Sequence, residues 1–283
     1  MTVTEDSSSN SWFSRLMKIF GGGAEPENWH QRLPEEGLSE SDRFLTEHLP
    51  FERVSVAGWA APERWEKIRR NEAVYPIIVG PDEELIRIAE HFSLMSESVE
   101  EILERAAKLQ HPASMHELRA KELQMEKEYL ASSGITEDET AFQPPEGTWP
   151  DERPEAQIGP VIVSNLLDGK FHDRVHILKI PTKLGHEVSA YLRCGGWNDC
   201  PDAAYHVAAI RSWEERYGAE LVAVSGDVVE LKVKNRPESN EEAMTLAREH
   251  YAFCSDVVDQ GTETIANLAA ILMESDWWYF WWD

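Results

Sequence analysis

The apolar positions of this chain change their spacing part-way along. In "SWFSRLMKIFGGG", a turn of about 100° per residue gathers Trp12, Phe13, Leu16, Met17, Ile19 and Phe20 on one arc. Ser14, Arg15 and Lys18 fall opposite, so 12–20 reads as a short amphipathic helix closed by three glycines. The first ten residues are polar and acidic, and 1–36 as a whole reads as a disordered tail carrying that segment. From 37 to 135 the helical period dominates. Ser39 or Ser41 stands as N-cap for "SESDRFLTEHL", and Pro81 with three acids opens "PDEELIRIAEHF". Ser98 and Glu101 have capping-box spacing, and 113–130 forms a further helix. Within this region "EAVYPIIVG" reads as one short buried strand.

Residues 136–157 are rich in Pro and acids and have no period, which makes them a linker. Beyond it, over 158–283, the pattern mixes periods. "RVHILKIP" and "HEVSAYLRC" read as strands, and "AELVAVSGDVVELKV" as two strands around Gly226-Asp227. "CPDAAYHVAAIRSWEERYG" is a helix with Asp199 or Asn198 as its cap, Ala203, Val207, Ile210 and Tyr217 on one side, and Gly218 as its stop. "SNEEAMTLAREHYAFC" and "TETIANLAAILMES" are two more helices. The closing "WWYFWW" alternates Trp277, Tyr279 and Trp281 with Trp278, Phe280 and Trp282. Each ring has roughly 150–250 Å² to hide, so both rows need cover, and a strand inside a sheet is predicted. The fold class is α+β: a mixed or antiparallel C-terminal sheet flanked by helices and ending in the aromatic strand, preceded by a smaller helix-rich N-terminal region.

Charge narrows the partners. Against 27 Lys plus Arg stand 52 Asp plus Glu, a net charge of -25. Such a field repels phosphate backbones, so nucleic acid is excluded as partner and a basic protein is favoured. Three cysteines make no disulfide framework. "MTVTEDSSSN" lacks the basic and apolar regions of a secretory leader, and no apolar run approaches the roughly 20 residues of a membrane span. The expected setting is reduced and cytoplasmic.

"GGWNDCP", "YHVAAIRSWEERYGAELVAVSGDVVELKV", "EEAMTLAREHYAFCSDVVDQGTETIANLAA" and "WWYFWWD" together resemble the bacterial family called domain of unknown function 4253. "YPIIVGPDEELIRIAEHF" and "SVEEILERAA" resemble its upstream part, so the likeness extends over most of the chain after the tail. The resemblance implies kinship and brings no reaction and no catalytic residue with it.

Chemistry concentrates in "RCGGWNDCPDAAYH". Cys200 precedes a helix start, where the dipole favours a thiolate, and His206 with a carboxylate such as Asp199 or Asp283 could act as its base. Trp197, Asn198, Asp199, Trp282 and Asp283 are the candidate binding wall, with Arg193 to neutralise the carboxylates at Asp283. For a metal, Cys200, His250 and Cys254 are the candidates, since His250 and Cys254 are four apart on a helix, but no zinc-site spacing surrounds them. His172, Asp173 and His176 lie on what reads as an exposed strand face. No P-loop, GxGxxG or GxSxG occurs, and no cofactor is expected. The leading expectation is a non-catalytic, acidic protein-binding module, toxin-neutralising or regulatory. Its alternatives are an enzyme using Cys200 with His206, and a peripheral membrane adaptor working through 12–20.

Overall fold

The computed structural model describes residues 44–45, 47–134, 144–152 and 154–283. The segment expected at 12–20, the caps expected at Ser39 or Ser41 and much of the expected linker lie outside them. In chain order, β1 (Glu52–Val56) is followed by α1 (Ala61–Asn71), β2 (Tyr75–Gly80), α2 (Asp82–Leu94), α3 (Val99–Ala106) and α4 (Ala113–Ser132). After the connector come β3 (Val175–Ile180), the short α5 (Val188–Leu192), α6 (Ala203–Tyr217), β4 (Glu220–Val224) and β5 (Val228–Lys232). Helices α7 (Asn240–Phe253) and α8 (Ile265–Glu274) and strand β6 (Trp277–Trp281) complete the chain.

The six strands form one mixed sheet in the order β1-β3-β2-β4-β5-β6. All pairings are antiparallel except β2 with β4. Strand β2, from the region 37–135, is hydrogen-bonded between β3 and β4, from the region 158–283, so the sheet runs across the boundary expected at 136–157. All six residues of β2 are buried, which accounts for its unbroken apolar run. The N-terminal region was expected to hold one short strand and holds two: "ERVSV" forms β1 at an outer edge, with half-exposed residues that leave only a faint alternation.

The predicted caps form with one correction. Ser98 and Glu101 make a full capping box on α3, and Ser239 accepts from the Glu242 N–H to open α7. Helix α6 is capped by Asp202, which accepts from the Ala204 N–H, and not by Asp199 or Asn198, because the helix begins two residues later than Pro201 suggests. Gly218 closes α6 in the left-handed conformation at φ 61°. "HEVSAYLRC" is not a strand. It forms a 3-10 turn and α5, whose Ala190 packs with Ile102, Ala106, Ala203, Ala204 and Val207 between α3 and α6.

Strand β6 lies at the sheet's edge, hydrogen-bonded to β5 alone, rather than inside the sheet. Both its faces are nonetheless covered. Trp278, Phe280 and Trp282 are at most 3% exposed and meet Trp213 on α6 and His250 and Phe253 on α7. Tyr279 and Trp281 pack on the other face with Val161 and Val228. Beside this layer the buried Glu230 of β5 accepts from the Val161 and Ile162 N–H groups and from Gln157 Nε2, strapping 157–162 onto the sheet. Among the described residues no helix is long and apolar enough to cross a membrane.

Candidate functional site

Between α5 and α6 the backbone enters the left-handed region four times in six residues: Arg193 at 54°, Gly195 at 80°, Gly196 at 81° and Asn198 at 46°. Two of these are not glycine, and such conformations persist only where surrounding contacts hold them. Gly195 is required outright, since a Cβ there would stand 1.8 Å from the Pro201 oxygen. Arg119 of α4 supplies much of the hold. Its guanidinium donates to the carbonyls of Asp199 at 2.7 Å, Ala252 at 2.7 Å and Phe253 at 3.1 Å, tying the loop to the end of α7. Arg105 grips Asp202 and Glu97, fixing the start of α6.

The loop forms one wall of a small pocket. Trp197, Cys200 and His206 come from the loop and α6, Trp282 from the chain end, and Val224 to Val229 from the β4–β5 turn. Ser225 shapes that turn, accepting from the Asp227 and Val228 N–H groups. The Asp227 carbonyl in turn accepts from the Trp282 N–H at 3.1 Å. Asn198 Nδ2 donates to the Asp283 carbonyl at 3.0 Å, and the Asp283 N–H donates to Asp256. Trp197, Asn198, Cys200, His206, Trp282 and Asp283 are thus brought together from two ends of the C-terminal region.

Arg193 and Asp199 stand elsewhere. Rather than meeting Asp283, the Arg193 guanidinium donates to the carbonyls of Phe92 and Met95 at the end of α2 and lies 4.1 Å over the Phe92 ring. The Asp199 side chain is exposed, and only its backbone carbonyl is engaged in the site.

Cys200 Sγ lies 3.4 Å from His206 Nε2, both buried. Their protonation is that of a resting pair. Burial pushes the Cys200 thiol well above its ordinary range and pulls the His206 imidazole down to about 4. No carboxylate orients the ring, since Nδ1 has no hydrogen-bond partner among the described residues. The metal candidates are likewise dispersed: His250 packs against Trp213, Trp278 and Phe280, and the Cys254 thiol donates to the Trp281 carbonyl. Cys254 has left the helical conformation at φ -147°, so the four-residue spacing does not put it beside His250. No group of three or more His, Cys, Asp or Glu able to hold a metal ion occurs among the described residues. His176 is buried inside the sheet, between Ser55 and Asp82, rather than on an exposed face.

Sequence reasoning did not single out Arg119, His91, Ile88, Leu192 or the β4–β5 turn as parts of this site. The signal for Gly226-Asp227 was that of a hairpin turn, Leu192 stands in a stretch that reads as a strand, and Arg119, His91 and Ile88 lie on elements that only the topology brings near.

Residues 176–283 match the sequence model of the family described as domain of unknown function (DUF4253), which makes the C-terminal part of this chain similar to that family. The matched segment holds the whole loop 193–202, the β4–β5 turn and Trp282, while Arg119 and the upstream stretches fall outside it. No curated protein and no solved structure matches the chain.

Proposed function

We propose that this chain is a non-catalytic binding module whose pocket takes a side chain from a basic protein partner. One observation carries the reading: a pocket walled by Trp197, Trp282, Ile88, Leu192 and the valines of the β4–β5 turn sits behind a loop held in unfavourable backbone conformations. Strain of this kind, maintained by Arg119, is a recurrent mark of ligand-binding segments. Asp227 lines the pocket, paired with Arg87 at 3.0 Å, on a chain of net charge -25, which would speed encounter with a cationic surface. Removing a wall of the pocket tests this. With the full chain immobilised at low salt, a basic protein from the native cell should be retained, released by high salt, and lost at least tenfold with Trp197→Ala. Equal retention by both chains would overturn the reading.

The 3.4 Å contact between Cys200 and His206 favours one second reading, an enzyme with a cysteine nucleophile. It is the weaker of the two, because both groups are held neutral and a neutral thiol is a poor nucleophile. Cys200 is therefore expected to react with iodoacetamide at pH 7.5 at least tenfold more slowly than a free thiol, read by peptide mass mapping. A rate above that of the free thiol would favour the enzyme.

A further inference from the structure

At the β1 end of the sheet, three side chains from three separate elements stand in line. Ser55 of β1 and His176 of β3 are direct partners in the antiparallel register, so their side chains share one face of the sheet. The Ser55 hydroxyl lies 3.0 Å from His176 Nδ1. On its far side the ring meets Asp82, in the first turn of α2, with Nε2 2.6 Å from Oδ1. Strand β2 brings this carboxylate in, because its last residue, Gly80, is the other register partner of His176 and the chain turns from there into α2. His176 is buried, whereas Ser55 is exposed.

The carboxylate fixes the hydrogens along this line. Partial burial would raise the Asp82 pKa, but Arg174 and His176 outweigh it and hold the acid below its ordinary range, so Asp82 is ionised at neutral pH. A carboxylate only accepts, so Nε2 carries the imidazole hydrogen and Nδ1 is the acceptor for the Ser55 O–H. Burial lowers the His176 pKa against the pull of Asp82, and Arg174 and Arg53 add to the fall, which leaves the ring a neutral base at pH 7. A hydroxyl on a neutral imidazole, whose other nitrogen is held by a carboxylate, is the arrangement that activates serine, and it is defined by these roles rather than by fold. Here Nδ1 faces the hydroxyl and Nε2 the carboxylate, and either nitrogen serves as base once the other holds the hydrogen.

We infer that Ser55 is a modification site, an acyl acceptor for activated esters, with His176 as its general base and Asp82 as the positioning residue. Oγ attacks the acyl carbon, and its proton passes to Nδ1 and on to the departing alcohol or phenol oxygen. The bond from the acyl carbon to that oxygen breaks as the bond to Oγ is made. The step is redox-neutral, and the ester is its only co-reactant. It goes beyond the pocket reading and does not rest on it, since none of the three residues lines that pocket.

The test offers p-nitrophenyl acetate to the full chain and maps the acetyl group after cleavage with trypsin. Residues 54–64, between the cleavage points at Arg53 and Arg64, contain Ser55 and no other Ser, Thr, Tyr, Cys, His or Lys, so an acetyl group there reports one hydroxyl. It should form at least tenfold faster in the folded chain than in the chain unfolded in urea. Asp82→Asn, at a half-exposed position, should slow it at least tenfold, because an amide that donates to Nε2 moves the ring hydrogen to Nδ1 and closes it to the serine. His176→Gln should slow it as much. The rate should stay level from pH 6.5 to 8, where a serine without a base gains about tenfold per pH unit. Should His176→Gln fail to fold, the Asp82→Asn comparison and the pH profile decide. Equal rates in the folded and unfolded chains, a rate that climbs tenfold per pH unit, or a rate unchanged by Asp82→Asn in a chain with the parent's tryptophan fluorescence would each reduce the three residues to a cross-strand tie and overturn the inference.

Discussion

Replacing Glu249 by alanine should lower the unfolding free energy by about 3–4 kcal/mol, measured by urea titration at pH 7 with tryptophan fluorescence. This carboxylate of α7 lies 4% exposed and is shared by three partners from two other segments. Arg216 grips it with both terminal nitrogens, Trp213 Nε1 donates at 3.2 Å, and His111 Nε2 stands 3.7 Å away. Removing it leaves the buried indole N–H without an acceptor and Arg216 half-buried without its counter-charge. Burial alone would raise the acid's pKa, but contacts with His111, Arg216 and Trp213 outweigh it and hold the group at about 2. Because the folded value is depressed below the ordinary 4.5, this stability is present above pH 4.5 and is lost as pH falls toward 2. The wild type should shed up to about 3 kcal/mol more over that interval than the alanine variant. A variant as acid-sensitive as the parent would sink the assignment.

Glu230 should tilt the profile the other way. Its three donors lower the pKa, yet complete burial dominates and raises it to about 7. A raised folded value means that its contribution is whole below pH 4.5 and declines as pH climbs through 7. The expected loss is up to about 3 kcal/mol between pH 4.5 and 8, read as the difference in slope between the parent and Glu230→Gln. Glutamine must also turn an amide toward the backbone N–H of Val161 or Ile162, so 157–162 should become the first segment to exchange its amides with deuterium. Matching slopes in the two proteins would rule out Glu230 as the titrating group.

How far the sequence led depends on the range of the forces involved. Local signals were reliable: the Ser98–Glu101 spacing, the Gly218 stop and the Ser225–Val228 turn all act within four residues. So was the aromatic hexapeptide as a two-sided strand, since no other state hides both rows. What failed was non-local. "HEVSAYLRC" has the β-branched and aromatic content of a strand, but the apolar face between α3 and α6 made it helical, because packing overrides propensity. The edge position of β6 was hidden because helices and the strap at Val161, not neighbouring strands, supply its cover. At the site, the cysteine, histidine and tryptophans in the Gly-rich stretch and at the chain end were legible as a group, since turn chemistry and ring size speak locally. Arg193 and Asp199 misled because a charge in sequence says nothing of which carbonyl end it will find. Arg119 was silent for the same reason, an ordinary arginine on an otherwise polar helix.

The interleaving of β2 between β3 and β4 has a practical corollary for anyone dissecting this polypeptide. A fragment trimmed to the family match would begin one residue into β3 and lack the ribbon that bridges it to β4. Two rows of main-chain amides and the apolar slab around Ile77 to Val79 would then be stripped bare together. The smallest piece worth expressing starts upstream of Glu52.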